Sequence, residues 1–553
     1  MQNETIDAPA ERETRFSAPR SSLGTHMVEN QPSPRKDWPI WNGDTALREQ
    51  VTRYGGDTSA LAQAGEIYGS AEILQAAEDA RRDPPRLTLF ARSGHRLDEV
   101  QFNSGYHRVM AAAKAQGYAH SAWSGKPGGH VTHAAHVYML NQVEPGICCP
   151  MTMTYAAVPA LQADAGLAET WVQRLLSPEY DGSTRPVEEK KGVTLGMAMT
   201  EKQGGSDVRA NSTRAVRDGD HYRLTGHKWF CSAPMSDGFL TLAYAEGGLT
   251  CFLVPRWLEG ERNGIRLQRL KDKLGNRANA SSEIEYVDAL AYRLGDEGAG
   301  VRTIIEMVHH TRLDTALAPA GLMRAALAEA AWWVQGRSVF QKKLIDQPLM
   351  RSVLADLALD TEGALASGMA MAAAFDRQDD ESRALARIGV ALAKYLNNKR
   401  CMPVIGEAME VLGGMGYIEE TPMPMLYREA PLNGIWEGSG NVICLDILRS
   451  LAREPRAGEA LNAMLDRARG GDRRYDEALA AHRARWPGLP AEGEARWFAE
   501  SLATLMTAAC LMETAPNAVA EGYVTSRLSG LRGSLPGSVV GLDERAILER
   551  LTG

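Results

Sequence analysis

The segment of this chain best suited to chemistry is Ile435-Trp436-Glu437-Gly438-Ser439-Gly440-Asn441. It sets one carboxylate between a tryptophan and a glycine-rich turn, with Ile435 and Val442 as apolar flanks. A carboxyl in such surroundings loses hydration, so its pKa rises and it becomes able to act as a base. The plain alternative is the N-terminal region of a helix with Glu437 in solvent. Three further segments have usable residue types. Met197-Ala198-Met199-Thr200 runs through Glu-Lys-Gln-Gly-Gly to Ser206 and Asp207; its hydroxyls and backbone N–H groups could face an anionic or heteroaromatic ligand, or form an ordinary polar turn. Trp229-Phe230-Cys231-Ser232 places two aromatic residues beside a thiol and a hydroxyl; such a pair is more often core than a cofactor wall. Gly413-Gly414-Met415-Gly416 follows a helical pattern rather than a strand, so by itself it reads as a helix C-terminus. Neither a GxxxxGK[ST] loop nor a GxGxxG between strand and helix is present.

The elements that must position these residues follow from periodicity. Apolar spacing from about 44 to 185 is helical, as at Ala46, Leu47, Val51 and Tyr54. From 192 to 295 the period shortens to that of strands. Thr213–Arg217 and His221–Thr225 flank Asp218-Gly219 as a hairpin, and Leu240–Tyr244, Cys251–Val254 and Ser282–Val287 follow. Helical period returns from about 299, with Asp346 as N-cap before Pro348 and a run rich in Ala, Leu and Met over 354–374. The predicted class is α+β. A flexible tail over 1–35 precedes a helical domain over 36–190, an antiparallel β-domain over 191–298, a helical bundle over 299–452 and an extra helical domain over 453–553.

Composition bounds the rest. With 553 residues, 44% hydrophobic and 24% charged, the chain is long enough for three or four structural units and is too apolar for wholesale disorder. No apolar run reaches membrane-spanning length, and the N-terminus has no secretory h-region. Seven cysteines, with no CxxC pair and no zinc-ligand spacing, read as reduced thiols in a cytoplasm, with no metal site. The net charge of −8 argues against a globally basic nucleic-acid coat.

Together the segments acquire a further meaning. Met199-Thr-Glu-Lys-Gln-Gly-Gly-Ser-Asp, Gly226-His-Lys-Trp-Phe, Arg337-Ser-Val-Phe with Gln347, Glu410-Val-Leu-Gly-Gly-Met-Gly-Tyr417, Tyr427-Arg-Glu and Trp436-Glu-Gly-Ser-Gly-Asn stand in the order and spacing of the acyl-CoA dehydrogenase flavoproteins. The chain resembles that family over about 100–450. Adding Asn30-Gln-Pro, Met151-Thr-Met-Thr-Tyr and Leu270-Lys-Asp-Lys-Leu-Gly-Asn-Arg, it resembles the AidB-like alkylation-response branch over about 27–553.

The resemblance implies a helical domain, a β-domain and a four-helix bundle, with FAD between the last two, in a homotetramer. It implies that Met197, Ala198, Met199, Thr200 and Ser206 contact the flavin, that Phe230, Cys231 and Ser232 line its ring, and that Ile435, Trp436, Gly438, Ser439, Gly440, Asn441 and Leu445 close over it. Arg337, Gln347, Gly413 and Gly414 match positions that reach the adenosine and pyrophosphate across a subunit interface; Gln341 stands where the family commonly has glycine. The family's base is matched by Glu437, since its alternative helical position is Thr311 here. Trp436 replaces the usual tyrosine, which implies a narrowed acyl pocket and weak isovaleryl-type activity. The branch further implies binding to double-stranded DNA and protection against alkylation damage.

Sequence alone tests the DNA implication poorly: from 446 onward there are 14 arginines and no lysine against 15 acidic residues. Arg449, Arg467, Arg469, Arg473 and Arg474 are the candidate phosphate ligands, because guanidinium suits bidentate contacts. An Arg-rich solvated helix is the plain alternative. Two other functions stay open: a housekeeping short- or branched-chain acyl-CoA dehydrogenase passing electrons to an electron-transfer flavoprotein, and a non-catalytic, flavin-stabilised DNA-binding regulator.

Overall fold

The computed structural model describes residues 20–35 and 38–552. Most of the expected N-terminal tail, residues 1–19, lies outside the described residues. The described part is tied down at its C-terminal end: the Asn30 side chain bonds both the N–H (2.6 Å) and the carbonyl (2.8 Å) of Ser338, and Arg337 donates to the Asn30 carbonyl at 2.8 Å. These contacts span more than 300 residues, a relation invisible to local pattern.

Seven helices over Thr45–Leu175 form the N-terminal region, interrupted by a hairpin, Arg86–Phe90 with Arg96–Gln101, that the helical reading of 44–185 had not anticipated. The helices Gly129–Leu140 and Pro145–Leu161 are buried on nearly every side, because they lie between the other N-terminal helices and the bundle.

The β-domain is a seven-stranded sheet. The hairpin joins Arg214–Asp218 to His221–Ser232 around Gly219, whose positive φ suits the turn. Strand Gly238–Ala245 pairs with Gly248–Pro255, and Gly248–Pro255 also pairs with the end of the long strand Ser281–Leu294, so the strand order closes on itself. Tyr222, Leu224, Phe239, Phe252, Ile284 and Tyr286 fill one apolar core.

The bundle consists of Gly300–Gly336, Pro348–Asp376, Asp380–Val411 and the shorter Gly440–Arg453. The second helix begins at Pro348 with Gln347 as its cap; Asp346 belongs to a preceding 3₁₀ turn and does not cap. The rest is helical. Ala495–Thr514 packs against both Pro348–Asp376 and Asp380–Val411, and Arg527 locks the extension to the bundle through Asp356 (2.6 Å) and Asp360 (2.9 Å), in a fully buried pairing.

One buried ion pair holds the loop after the first β-domain strand. Lys228 donates to Glu201 (2.9 Å) and to the Leu242 carbonyl, and Glu201 also accepts from Thr213 and Ser212. Burial opposes ionisation of Glu201, but the Thr213 hydroxyl, the Lys228 charge and the Ser212 N–H outweigh it and hold the carboxyl far below its usual range. Its stabilisation is therefore present above the unfolded carboxyl pKa of about 4.3 and is lost as pH falls toward the depressed value. Replacing Lys228 by Met leaves a buried carboxylate unpaired, and lowers stability by about 3–5 kcal/mol in chemical denaturation.

Candidate active site at the Glu437 turn

Glu437 is placed by the end of one helix and the start of another. A short turn over Leu432–Gly434 leads into Trp436-Glu437-Gly438, and the helix Gly440–Arg453 follows. Both Glu437 (φ 56°) and Gly438 (φ 103°) are left-handed. Glycine adopts this region freely; a glutamate there is strained and persists only where its surroundings overdetermine it.

Those surroundings centre on Lys394, in the middle of the helix Asp380–Val411. Its ammonium donates to the carbonyls of Asn433 (2.8 Å), Trp436 (2.9 Å) and Gly438 (2.9 Å), three acceptors in one turn. The side chain is almost wholly buried; desolvation brings its pKa down to about 7, against the raising influence of Glu437. The Glu437 carboxylate accepts from the Thr311 hydroxyl at 2.8 Å. Burial raises its pKa, moderated by Thr311, Lys394 and Arg312. Thr311 thus occupies the helical alternative to the base and serves the carboxylate on the turn. Its neighbour Arg312 approaches the Glu437 carbonyl at 3.4 Å and pairs at 2.6 Å with Asp446, which Arg387 grips with two further bonds. Asp446 fastens the helix after the turn to the helices Gly300–Gly336 and Asp380–Val411.

Trp436 donates its indole N–H to Asn433 at 2.8 Å and packs on the cluster containing Tyr155 and Met153, beside Trp123 and Met197. The β-domain residues Met197 and Met199 pack on the same apolar cluster as Trp436 of the turn. Thr200 accepts the Trp229 N–H at 2.7 Å. Between Lys228 and Cys231 two residues, Trp229 and Phe230, oppose the single residue Glu283. That bulge turns Phe230 outward, 50% exposed, and Cys231 into the core. Ala198 and Cys231, expected at the flavin, are fully buried, backbone included. Ser232 lies 3.1 Å from the Ser281 hydroxyl, and Ser206 is exposed. A half-exposed aromatic face with hydroxyls on either side suits a flat heteroaromatic ring carrying carbonyls and ring nitrogens, the chemistry of a flavin.

Beyond the turn, Ile435 is exposed, Asn441 accepts from Arg496 at 3.3 Å, and Leu445 is half-buried. Arg337 and Gln347 sit elsewhere. Thr311 lies in the helix Gly300–Gly336 and Arg337 caps its C-terminal end 26 residues on, a rise of roughly 39 Å along the axis at about 1.5 Å per residue. Gly413 and Gly414 lie past the far end of the Lys394 helix, and a Cβ at either would meet open space. Within one chain these four do not join the Glu437 turn.

The five candidate phosphate-binding arginines are all near carboxylates. Arg474 holds Asp472 (2.6 Å) and the Thr525 hydroxyl; Arg473 approaches Glu477 (3.3 Å), Arg469 Asp466 (3.6 Å), Arg467 Glu381 (3.8 Å) and Arg449 Asp446 (3.8 Å).

Two residues central to the site carry no local signal, Lys394 and Asp446. A lysine within a helical run reads as solvent-facing until its partners are known. A third, Glu429 of Tyr427-Arg-Glu, accepts the Asn276 N–H inside the Leu270–Arg277 segment and is pushed up to about 7 by burial. It explains why two motifs distant in sequence accompany one another.

Comparison with known proteins agrees with this geometry. Residues 30–182 match the AidB N-terminal domain, 196–289 the acyl-CoA dehydrogenase middle domain and 298–452 the acyl-CoA dehydrogenase C-terminal domain. AidB of Escherichia coli (strain K12) is 47% identical over 464 residues, covering 82% of this chain and 86% of that protein. The chain belongs to the acyl-CoA dehydrogenase family, in its AidB-like branch. Acyl-CoA dehydrogenase family member 11 of Caenorhabditis elegans is 31% identical, over 86% of this chain and 79% of that protein. The crystal structure of ACDH-11 from the same organism, solved with C11-CoA, superposes with a TM-score of 0.81 at 26% identity, over 99% of this chain and 98% of that one. The helical, β and helical order expected from periodicity is the order of this family's fold. Among the described residues no helix is long and apolar enough to cross a membrane, and no cluster suited to a metal ion is present.

Replacing Lys394 by Met removes the only charged donor shared by three carbonyls of the strained turn. We expect a loss of about 3 kcal/mol in chemical denaturation, and a larger loss than for substitution of the exposed neighbour Lys399.

Proposed function

We propose that this chain is an FAD-dependent oxidoreductase of acyl-CoA thioesters, in which Glu437 is the catalytic base. The observation that carries the reading is a desolvated carboxylate on a strained turn, hydrogen-bonded to Thr311 and backed by Lys394, facing the apolar layer shared with the β-domain. The FAD-binding residues would be those named above: Met199, Thr200 and Ser206 with Phe230 and Ser232 on the β-domain side, and Ile435 through Leu445 on the other. When bound, FAD supplies an acceptor for the hydride that leaves the β-carbon. Glu437 takes the α-proton, made acidic by the thioester carbonyl, onto its carboxylate oxygen; the thioester loses two hydrogens and gains a Cα–Cβ double bond. Lys394 and Arg312 favour the ionised carboxylate against its burial, and Thr311 orients it. Trp436, Trp123 and Tyr155 exclude water and limit the acyl chain to a short or branched one, so turnover is weak. Arg337, Gln347, Gly413 and Gly414, too distant to share a ligand with Glu437 of their own chain, complete a cofactor site in an oligomer such as a homotetramer; the exposure of Phe340 and Tyr417 beside them supports this.

Glu437→Gln keeps shape and removes the proton acceptor. We expect acyl-CoA-dependent flavin bleaching to fall by about 10²–10⁴ with FAD still bound; undiminished bleaching overturns the assignment. Because the Glu437 pKa is raised, bleaching by the parent falls as pH drops through a value above the ordinary carboxylate range of about 4.3.

A second reading, binding of double-stranded DNA in a response to alkylation damage, is supported by likeness to AidB and by the solvent exposure of Arg467, Arg469 and Arg473. Their pairings at 3.3–3.8 Å are loose surface contacts of small energetic worth, exchangeable for phosphate. If so, the logarithm of affinity falls with that of salt by about 0.9 per neutralised phosphate. Replacing Arg467, Arg469, Arg473 and Arg474 together by Ala weakens binding to all sequences alike and flattens that slope, with FAD retained. Parental binding by the quadruple variant removes this surface from consideration.

A further inference from the structure

A cavity of about 700 Å³ opens between the C-terminal extension and the helix Asp380–Val411, apart from the Glu437 turn. Its volume falls within the range of about 300–1,000 Å³ usual for small-molecule sites. The apolar wall includes Trp486, Trp497, Leu505 and Leu528. The two indoles meet edge to face, with centroids 5.5 Å apart and planes at 90°, and Trp497 is 53% exposed. An open indole face beside an enclosed one is a platform for a flat ring.

Among the charged groups that line the cavity, three arginines, Arg400, Arg485 and Arg527, face one carboxylate, Glu500. The Trp486 indole is more than nine-tenths buried, and its N–H has no hydrogen-bond partner among the described residues. The Arg485 guanidinium lies over the Trp497 ring at 4.1 Å, and no carboxylate among the described residues lies within ion-pair distance of it. Arg400 reaches Asp360 only at 4.0 Å and Glu500 at 3.8 Å, without a hydrogen bond to either. By contrast Arg527, which also lines the cavity, is saturated by Asp356 and Asp360. A buried indole N–H without an acceptor is costly, and the exposed Arg485 guanidinium, stacked on Trp497 and free of any carboxylate among the described residues, is available to anionic oxygens.

We propose that this cavity is a binding site for an aromatic phosphate monoester of mononucleotide size. The flat ring lies against Trp497, and the phosphate accepts from Arg485, Arg400 and the Trp486 N–H. Three donor groups on two guanidiniums and one indole exceed what one carboxylate uses and match the three terminal oxygens of a phosphate monoester. The site uses none of the residues assigned to the base, the flavin or the DNA surface.

The test is calorimetric titration of the FAD-loaded, full-length protein with AMP and UMP, and with adenosine and inorganic phosphate as the ring and the anion alone. Saturable binding of at least one nucleotide is expected, with adenosine and phosphate each weaker by at least about tenfold. Arg485→Gln and Trp497→Ala, both at exposed side chains and so compatible with folding, each weaken nucleotide binding by about tenfold. Trp486→Phe keeps the ring, loses the N–H and weakens binding severalfold. Flavin content, read from absorbance, stays constant in every titration and variant. Absence of saturable binding by both nucleotides overturns the proposal. So does binding that Arg485→Gln and Trp497→Ala leave unchanged, and so does binding that releases FAD, which would place the nucleotide in the flavin site.

Discussion

The Lys394 ammonium is withdrawn from water in the middle of a helix, and it can be there only because three carbonyls of one turn accept its protons. The relation is reciprocal. The turn holds Glu437 in a left-handed conformation that a glutamate does not adopt unaided, and the three bonds from Lys394 supply the constraint. Remove the lysine, and the turn has both unsatisfied carbonyls and a strained residue; remove the turn, and the lysine is a buried, unpaired charge. Each is a condition for the other, and so Glu437 acquires a defined position without being part of a helix or strand.

Two further carboxylates are treated in opposite ways. Asp446 lies among Arg312, Arg387 and Arg449, whose charges hold its carboxyl below the usual range, which suits a structural clamp between helices. Glu429 is buried with a second carboxylate, Glu144, nearby and is pushed up to about 7, which suits a hydrogen-bonding prop for the Asn276 backbone. In Glu437 both influences meet: desolvation raises it, and Thr311 with two nearby cations opposes the rise. The separation of roles is set by the number and distance of the cations facing each carboxylate rather than by residue type.

The β-domain contributes in a complementary manner. The Lys228–Glu201 pair fixes the loop after Met199 to the long hairpin, and the bulge at Trp229 and Phe230 aims one aromatic ring outward from a strand whose next residue is core. A ligand-facing surface is thus assembled from a strand end, a bulge and a turn from another domain, all held by interactions buried behind that surface. The C-terminal extension is attached with equal firmness through Arg527, which makes its donor-rich cavity a permanent feature of the molecule rather than a gap between loosely associated parts.

Much of this was decided by sequence alone. The change of apolar spacing at about 190 and again at about 299 specifies helical, β and helical segments, because a period near 3.6 cannot be buried as a strand, nor a period of 2 as a helix. Asp218-Gly219 specifies its hairpin, since the glycine takes the positive φ the turn needs. Glu437 stood out as a carboxylate between an indole and glycines. Tertiary structure alone decided what holds it there. Lys394 lies 43 residues from Glu437 and Thr311 126 residues away, and nothing in their local sequence marks one as buried or the other as a donor to a base. The hairpin at 86–101 escaped the helical reading because its strands are short and largely solvated, and Asn30 gave no sign of its bonds to Ser338. The arginines of the extension illustrate the same division: their number and type are written in the chain, but which of them face carboxylates and which stand free against a tryptophan depends on which helices meet. Long-range pairing is set by packing, and packing is a property of the folded whole.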